Sequence, residues 1–414
     1  MQPLLSKILN LPGIEVENYA NVEDRLILEV EAKTTKAKCP RCGEESNHLH
    51  QNHWYLARDL SISGQEVLLK VNRRQFKCRK CEKPFSEELE FIGRRRKQTD
   101  RFAEMIVQQV LHSDMHNVGK QNGLTDEEVW SMVKYISQKK VKIDLSTLKR
   151  LGIDEIALRK GQGDYIVVLV DLERKIPIGF VGSRKQEEIR KVIEGWGKEV
   201  LEQIIEVSID LSGNYKGLIN KLMPKADVVA DRFHVTKIVN QELNTARNEM
   251  RKANQENKNA EEKKLIEEAL KQSKYALLKG EENLTNKQKI KLEEIREVIP
   301  LLGKMHQQKE EFRKVFEEAK NWGDGVSKLL DWMEKAKETY KDSVGTICRW
   351  FGEVSNYFEN RTTNGVVEGI NNKLKLIKRS GYGFRNFDNF KLRSLICWHL
   401  DMGASHFGTK HKYL

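Results

Sequence analysis

Cys39-Pro40-Arg41-Cys42 and Cys78-Arg79-Lys80-Cys81 are two C-x2-C knuckles with 35 residues between them. Four thiolates at this spacing, each pair at a hairpin turn, suit one tetrahedral structural Zn2+. Four unconnected buried thiols would not arrive as two matched pairs. A closed four-cysteine shell leaves no open coordination position, so this metal is expected to fold its module rather than catalyse. Strand signals surround the knuckles: Leu26, Leu28 and Val30 alternate with other residues, as do Val67, Leu69 and Val71. His48, His50 and His53 are read as solvated loop residues, with ligand substitution as the alternative. Residues 1–93 are expected to form a zinc-ribbon DNA-binding domain. Residues 1–17 lack the apolar core of a signal peptide, which favours metal or buried thiols over disulfides for the six cysteines.

The basic run Arg94-Arg95-Arg96-Lys97 marks the next boundary. Thr99 to His112 and Met115 to Asn122 read as helices, and Gly123-Leu124-Thr125 as a tight turn. Thr125 then caps a third helix over Asp126 to Gln138. A helix-turn-helix DNA reader and a plain three-helix bundle both fit this pattern. The arginine cluster and the ribbon beside it favour the DNA reader for residues 94–145. The net charge of +12 points the same way, since excess Lys and Arg favour a polyanionic partner. A chain of 414 residues is too long for one core, so two to four domains are expected. No apolar run approaches the roughly 20 residues of a membrane span, and a cytoplasmic protein with no membrane partner is expected.

From Gly152 the pattern changes. Gly152-Ile153-Asp154-Glu155-Ile156 is an apolar strand with a carboxylate in its middle, a costly place for an unpaired charge. Asp154 is either a cap or turn residue, as Asp often is, or a metal ligand. Tyr165 to Leu172 and Ile176 to Val181 follow as a hairpin, then a glycine-interrupted helical stretch over 185–205. Glu206 to Asp210 is a fourth strand and Val228 to Asp231 a fifth, after which Arg232-Phe233-His234 opens a helix. The order β-β-β-α-β-α-β is that of a ribonuclease-H-like α/β fold, assigned to residues 146–240. In that order the first and fourth strands are neighbours, so Asp154 and Asp210 sit side by side. Asp231 and His234 are either a strand-end cap and a helix start, or accessories beside those carboxylates.

Residues 241–350, dense in Lys and Glu and broken at Pro300, read as long and largely solvated helical hairpins. Trp322, Trp332 and Trp350 are read as core filling, with base stacking as the alternative. In the closing part, 351–414, helical spacing sets Asn364, Glu368, Asn371 and Lys375 on one polar stripe. Val367, Ile370, Leu374 and Ile377 form a separate apolar one. A carboxylate flanked by amides and followed by Lys375, Lys378 and Arg379 suits a metal beside phosphates; a solvated polar face is the alternative. Acidic residues on separate elements, behind two DNA-binding modules, suggest two-metal phosphoryl transfer with hard oxygen ligands. No G-x-x-x-x-G-K-[ST] loop occurs, so ATP is not expected to be consumed.

These motifs together resemble the DDE transposases of bacterial insertion sequences, specifically the ISL3 family. The resemblance rests on the ribbon, the helix-turn-helix, Gly152-Ile153-Asp154-Glu155, Ser208-Ile209-Asp210 and Asp231-Arg232-Phe233-His234. It rests also on the Asn364 to Asn372 block and on Lys378 to Phe387. It implies that Asp154, Asp210 and Glu368 are a catalytic triad holding two Mg2+ (or Mn2+) ions. It implies too that the helical region between Asp210 and Glu368 is an insertion domain and that Asp231, His234 and Asn371 are accessory residues. The expected partners are double-stranded DNA, as terminal inverted repeats and as target, and further copies of the chain in a homodimer or higher oligomer. The activity implied is strand cleavage followed by strand transfer. A catalytically silent DNA-binding regulator and a nuclease of the same fold without strand transfer are the alternatives.

Overall fold

The computed structural model describes residues 2–159, 163–363, 365–381, 383–384 and 386–400. Lys160, Asn364 of the polar stripe, and Tyr382 and Arg385 of the closing turn lie outside the described residues. The chain forms two compact units, residues 1–142 with 377–414, and residues 143–376.

The first unit opens with α1 (Gln2–Leu9) and then β1 (Ile14–Val22), β2 (Arg25–Ala32), β3 (Ala37–Lys38), β4 (Glu45–Ser46) and β5 (Leu49–Gln51). β6 (Trp54–Ile62), β7 (Gln65–Asn72), β8 (Gln75–Lys77) and β9 (Pro84–Ser86) follow. The alternating apolar residues predicted from sequence do line a core: Leu28, Val30, Val67, Leu69 and Val71 are buried in a sheet ordered β1-β2-β7-β6. The small sheets β3-β4 and β5-β8-β9 carry the cysteine knuckles.

The helices α2 (Asp100–His112), α3 (Met115–Asn122) and α4 (Asp126–Lys140) complete this part. Each start is capped by the side chain the sequence offers there. Thr99 accepts from the Phe102 N–H, Asp114 from Asn117, and Thr125 makes a reciprocal capping box with Glu128. Gly123 ends α3 in the left-handed conformation at φ 62°, and the chain folds back so closely that Leu124 N–H donates to the Gly119 carbonyl at 2.8 Å. The ribbon and the helices are tied through buried Asp59, which accepts from Thr99 Oγ1 at 2.7 Å and from Arg101 Nε at 2.8 Å.

The second unit holds β10 (Arg150–Ala157), β11 (Tyr165–Asp171) and β12 (Ile176–Val181), then α5 (Gln186–Glu194), α6 (Lys198–Gln203), β13 (Glu206–Ile209), α7 (Gly213–Leu222) and β14 (Asp227–Ala230). The sheet order is β12-β11-β10-β13-β14. The first three strands run antiparallel, and β10-β13 and β13-β14 are parallel. Helices α5 to α7 supply the long crossovers that parallel pairing requires.

From α8 (Arg232–Ala253) the chain is helical: α9 (Ala260–Leu270), α10 (Ser273–Leu278), α11 (Asn286–Val298), α12 (Pro300–Glu318), α13 (Trp322–Ala336), α14 (Lys341–Arg349) and α15 (Phe351–Asn360). These are not the largely solvated hairpins expected from composition. Leu243, Leu292, Ile295, Phe312, Phe316 and Trp332 belong to a continuous buried core. The Lys- and Glu-rich pattern hid it because the apolar load is spread unevenly: α8, α9 and α11 bury two or three residues each, while α12 carries Leu302, Met305, Phe312, Val315 and Phe316 among charged neighbours. Pro300 opens α12, where its missing N–H costs nothing. Trp332 is buried, whereas Trp322 is exposed.

α16 (Gly365–Ser380) and α17 (Phe387–His399) close the chain. Residues 351–414 do not stay together: those from 377 onward belong to the first unit, where Ile396 joins the core of α2 and α4. A Cβ at Gly119 would meet the Leu124 carbonyl oxygen at 2.7 Å, a contact with backbone that no rotamer relieves. Gly119→Ala should therefore destabilise the α3–α4 turn by about 1–3 kcal/mol. The expected readout is faster hydrogen exchange at α3 and α4 amides with exchange in β10–β14 unchanged.

Candidate functional site

The register of the parallel strands builds the site. Gly152 pairs with Ser208, and Ser208 with Val229. Two residues further along each chain stand Asp154, Asp210 and Asp231, which therefore share one row across β10, β13 and β14. Neighbouring strands lie about 4.8 Å apart, so three carboxylates are carried to one sheet edge by backbone geometry alone. The backbone continues the pairing there, with Asp231 N–H donating to the Ile209 carbonyl at 2.8 Å.

Like charges in a partly dry setting resist ionisation. Burial, reinforced by the neighbouring carboxylates, pushes both Asp154 and Asp210 above the ordinary carboxylate range. His234, in the first turn of α8, opposes this. Its Nδ1 lies 3.0 Å from Asp231 Oδ2, and that hydrogen bond, with the field of Asp154 and Asp210, raises the imidazole above its usual value. The imidazole, drawn toward its protonated form, is the group on α8 that offsets the row. Asp231 is the residue before α8, but it makes no side-chain cap there. Its carboxylate is engaged with His234 instead.

Asp154 is held from two sides. Oδ1 accepts from the Glu155 N–H at 2.8 Å and Oδ2 from Asn371 Nδ2 at 2.7 Å. Asn371, which the sequence places on the polar stripe of α16 as an accessory candidate with a solvated face as the alternative, is 6% exposed. Its Oδ1, turned from the carboxylate that would repel it, finds no partner among the described residues, and neither does buried Asp210 Oδ1. Two buried acceptor oxygens without donors, beside a carboxylate already ionised with difficulty, are the donor set a hard divalent cation fits.

Glu368 stands apart from the row. It is exposed, one turn before Asn371 on the same face of α16, while Val367, Ile370, Leu374 and Ile377 are buried as their spacing predicted. Those four side chains contribute about 1.5–3 kcal/mol each, against roughly 1 kcal/mol for the Asn371 hydrogen bond. Packing therefore seats the helix, and Asn371 sets its rotation toward Asp154.

One further carboxylate belongs to this arrangement. Glu206 is 2% exposed on β13, where it accepts from Asn360 Nδ2 at 2.5 Å and from Thr362 Oγ1, and pairs with Arg150 at 3.2 Å. It fastens the approach to α16 onto the strand that ends at Asp210. The signal was available: an acidic residue opening an apolar strand needs a partner as much as Asp154 does. Glu155, by contrast, is engaged by Tyr215 Oη at 2.5 Å and Arg184 at 2.7 Å.

The four cysteines form the second site. Their sulfurs all lie within 4.8 Å of one another, the geometry expected of a tetrahedral zinc shell. Among the described residues no other set of three acidic, histidine or cysteine side chains is drawn so close. His48, His50 and His53 are exposed and outside it. The Arg41 N–H first, then the Cys42 N–H and neighbouring thiols, bring Cys39 down to about 7, while hydrogen bonding to Cys42 pushes Cys81 up to about 12. Thiols must be deprotonated to hold zinc, so the metal's binding would be coupled to proton release and to folding of this module.

Of the basic residues singled out in the sequence, Arg94, Arg95 and Lys97 are exposed. Arg96 is turned inward, donating to Ser131 Oγ at 2.7 Å and lying 4.5 Å from the Tyr135 ring. Lys375 is exposed and contacts Asn372 at 3.2 Å; Lys378 and Arg379 follow it on α16, with Arg379 exposed. No described helix is long and apolar enough to cross a membrane.

A family model described as a transposase matches residues 151–394, one for the zinc finger of the IS204/IS1001/IS1096/IS1165 transposases matches 35–81, and one for the helix-turn-helix domain of transposase family ISL3 matches 87–137. The transposase for insertion sequence element IS1001 of Bordetella parapertussis is 28% identical over 370 residues, 86% of this chain and 87% of the relative. The transposase for IS1557 of Mycobacterium tuberculosis is 27% identical over 261 residues, 58% of each chain.

Two outcomes are expected. Cys39→Ser or Cys78→Ser should release one zinc per chain and abolish amide protection in β3–β5 and β8–β9, read by metal analysis and hydrogen exchange. Asp231→Asn should lower the His234 pKa toward about 6.5 in an NMR titration. Because the folded-state value is raised, the stabilisation that His234 contributes is full below the unfolded value and fades as pH rises through the folded one. The variant should lack that pH-dependent contribution.

Proposed function

The chain belongs to the ISL3 family of transposases, and on that premise we propose that the carboxylate row is the catalytic centre of DNA transposition. The protein binds the terminal inverted repeats of its insertion sequence, cleaves strands there with water, and joins the freed 3′-hydroxyl to target DNA. The reading rests above all on the parallel register that aligns Asp154 with Asp210. The strand order β12-β11-β10-β13-β14 supports a ribonuclease-H-like core, with the helices from α8 to α15 as an insertion between the second and third catalytic carboxylates.

In this mechanism Asp154, Asp210 and Glu368 would hold two Mg2+ or Mn2+ ions, which would supply activation of the attacking oxygen and stabilisation of the leaving one in an in-line displacement. Asn371 orients Asp154 through its Nδ2, and its position fixes how far Glu368, one turn away, stands from the row. Asp231 holds His234, whose positive charge faces the same edge and meets the scissile phosphate there. Lys375, Lys378 and Arg379 contact phosphates from α16, and the ribbon and helix-turn-helix, with Arg94, Arg95 and Lys97, read the element's ends. Arg96 braces α4. The work takes place on DNA in the bacterial cytoplasm, with further copies of the chain pairing the two ends.

Asp154→Asn, Asp210→Asn and Glu368→Gln should each abolish Mg2+-dependent nicking of an end duplex while gel-shift affinity stays near wild type. Near-normal nicking by one variant removes that residue from the centre. His234→Ala should slow cleavage with the melting temperature unchanged; a lower melting temperature with unchanged turnover would make His234 structural.

A further inference from the structure

We propose that a basic cavity at the far end of α8 grips the phosphodiester backbone of the same DNA duplex that is cut at the carboxylate row. This rests on the transposase reading above and adds a second point of contact to it.

The cavity has a volume of about 540 Å3 and lies between the C-terminal half of α8 and the turn joining α9 to α10. Arg247, Arg251, Lys271 and Lys274 line it, against one carboxylate, Glu267. Elsewhere on this chain cations are commonly neutralised: Arg313 pairs with Glu282 and Glu310, and Arg296 with Glu293. Here the Arg247 guanidinium donates to two neutral amides, Asn244 Oδ1 at 3.1 Å and Asn248 Oδ1 at 2.7 Å. Burial and the adjacent Arg251 lower its pKa, so its positive charge is held at a cost. None of the four cations forms an ion pair among the described residues. A cluster of like charges left without acidic partners is stabilised by an anion from outside, and four cations around one concavity suit consecutive phosphates.

The occupant follows from the helix that joins the two places. α8 begins beside the carboxylate row, where His234 lies in its first turn, and runs to the cavity. At 1.5 Å per residue, Arg247 and Arg251 stand roughly 20 and 26 Å from His234 along the axis. Successive phosphates of one strand are about 3.4 Å apart along a duplex. DNA lying along α8 with its scissile phosphate at the row therefore reaches the cavity about six to eight nucleotides away. The contact reads no bases. It fixes the direction in which the duplex leaves the site.

The test uses the full chain with its zinc and a duplex carrying the terminal repeat, without Mg2+. Arg247→Ala/Arg251→Ala and Lys271→Ala/Lys274→Ala are compared with wild type by binding across a salt series. Each pair should make the slope of log affinity against log salt shallower by about 2, since each lost phosphate contact removes about 0.9. Shortening the duplex so that it ends about five base pairs or fewer from the cleavage position should erase the difference. All four side chains lie at the surface or on its border, so melting temperatures should match wild type. Slopes equal to wild type on the long duplex would overturn the proposal, as would unchanged slopes accompanied by loss of self-association, which would assign the cavity to a protein partner. If wild type binds no repeat duplex at all, the transposase reading falls, and this proposal with it.

Discussion

Carrying three carboxylates to one sheet edge is what the rest of the second unit must accommodate. Parallel pairing of β10, β13 and β14 ends just before Asp154, Asp210 and Asp231, so the register that holds the strands also carries the three charges to neighbouring positions. In a half-dry setting that repulsion has to be offset locally. His234 supplies an imidazole drawn toward its protonated form and Asn371 supplies a donor, and each comes from a helix rather than from the strands. Burial and mutual repulsion together make this row the most strained group of charges on the sheet, and strongly perturbed carboxylates gathered in one place are the usual mark of a functional site.

The positioning of α16 shows how unequal forces divide the work. Four buried aliphatic side chains seat the helix, and a single amide hydrogen bond selects its rotation. Glu368, exposed one turn away, takes its place relative to the row from both. The Glu206 clamp adds a third constraint from the other end, fastening the residues that precede α16 to β13. A carboxylate on a helix is thereby brought under the control of the strand that carries another.

Much of this was legible in the sequence. Alternation located β2 and β7, apolar runs located the β11–β12 hairpin, and the cap residue Thr125 placed its helix, because these signals are local. The two cysteine pairs were legible for a different reason: a metal shell demands a residue type and a spacing together. What stayed hidden depends on contacts far apart in the chain. Asn371 was marked as an accessory candidate, but its burial and its hydrogen bond to Asp154, 217 residues earlier, could not be read from the helix's own spacing. The core from α8 to α15 was concealed by surface charge. Arg96 resembles its neighbours in a basic run, yet Ser131 and Tyr135 turn it inward.

The chain leaves the sheet after β14 and comes back along it, with Asn356 on α15 donating to the Val228 carbonyl at 3.0 Å and Asn360 anchored to Glu206. Departure and return are stapled to adjacent strands. The helices between are then a detour whose ends are already closed. The entropic charge for lengthening such a detour grows only as the logarithm of its size, about 0.6 kcal/mol per doubling. Relatives can therefore diverge in the bulk and shape of this segment while the register of the three carboxylates stays the same. The outer surface of these helices is thereby free to change without disturbing the strands beneath it.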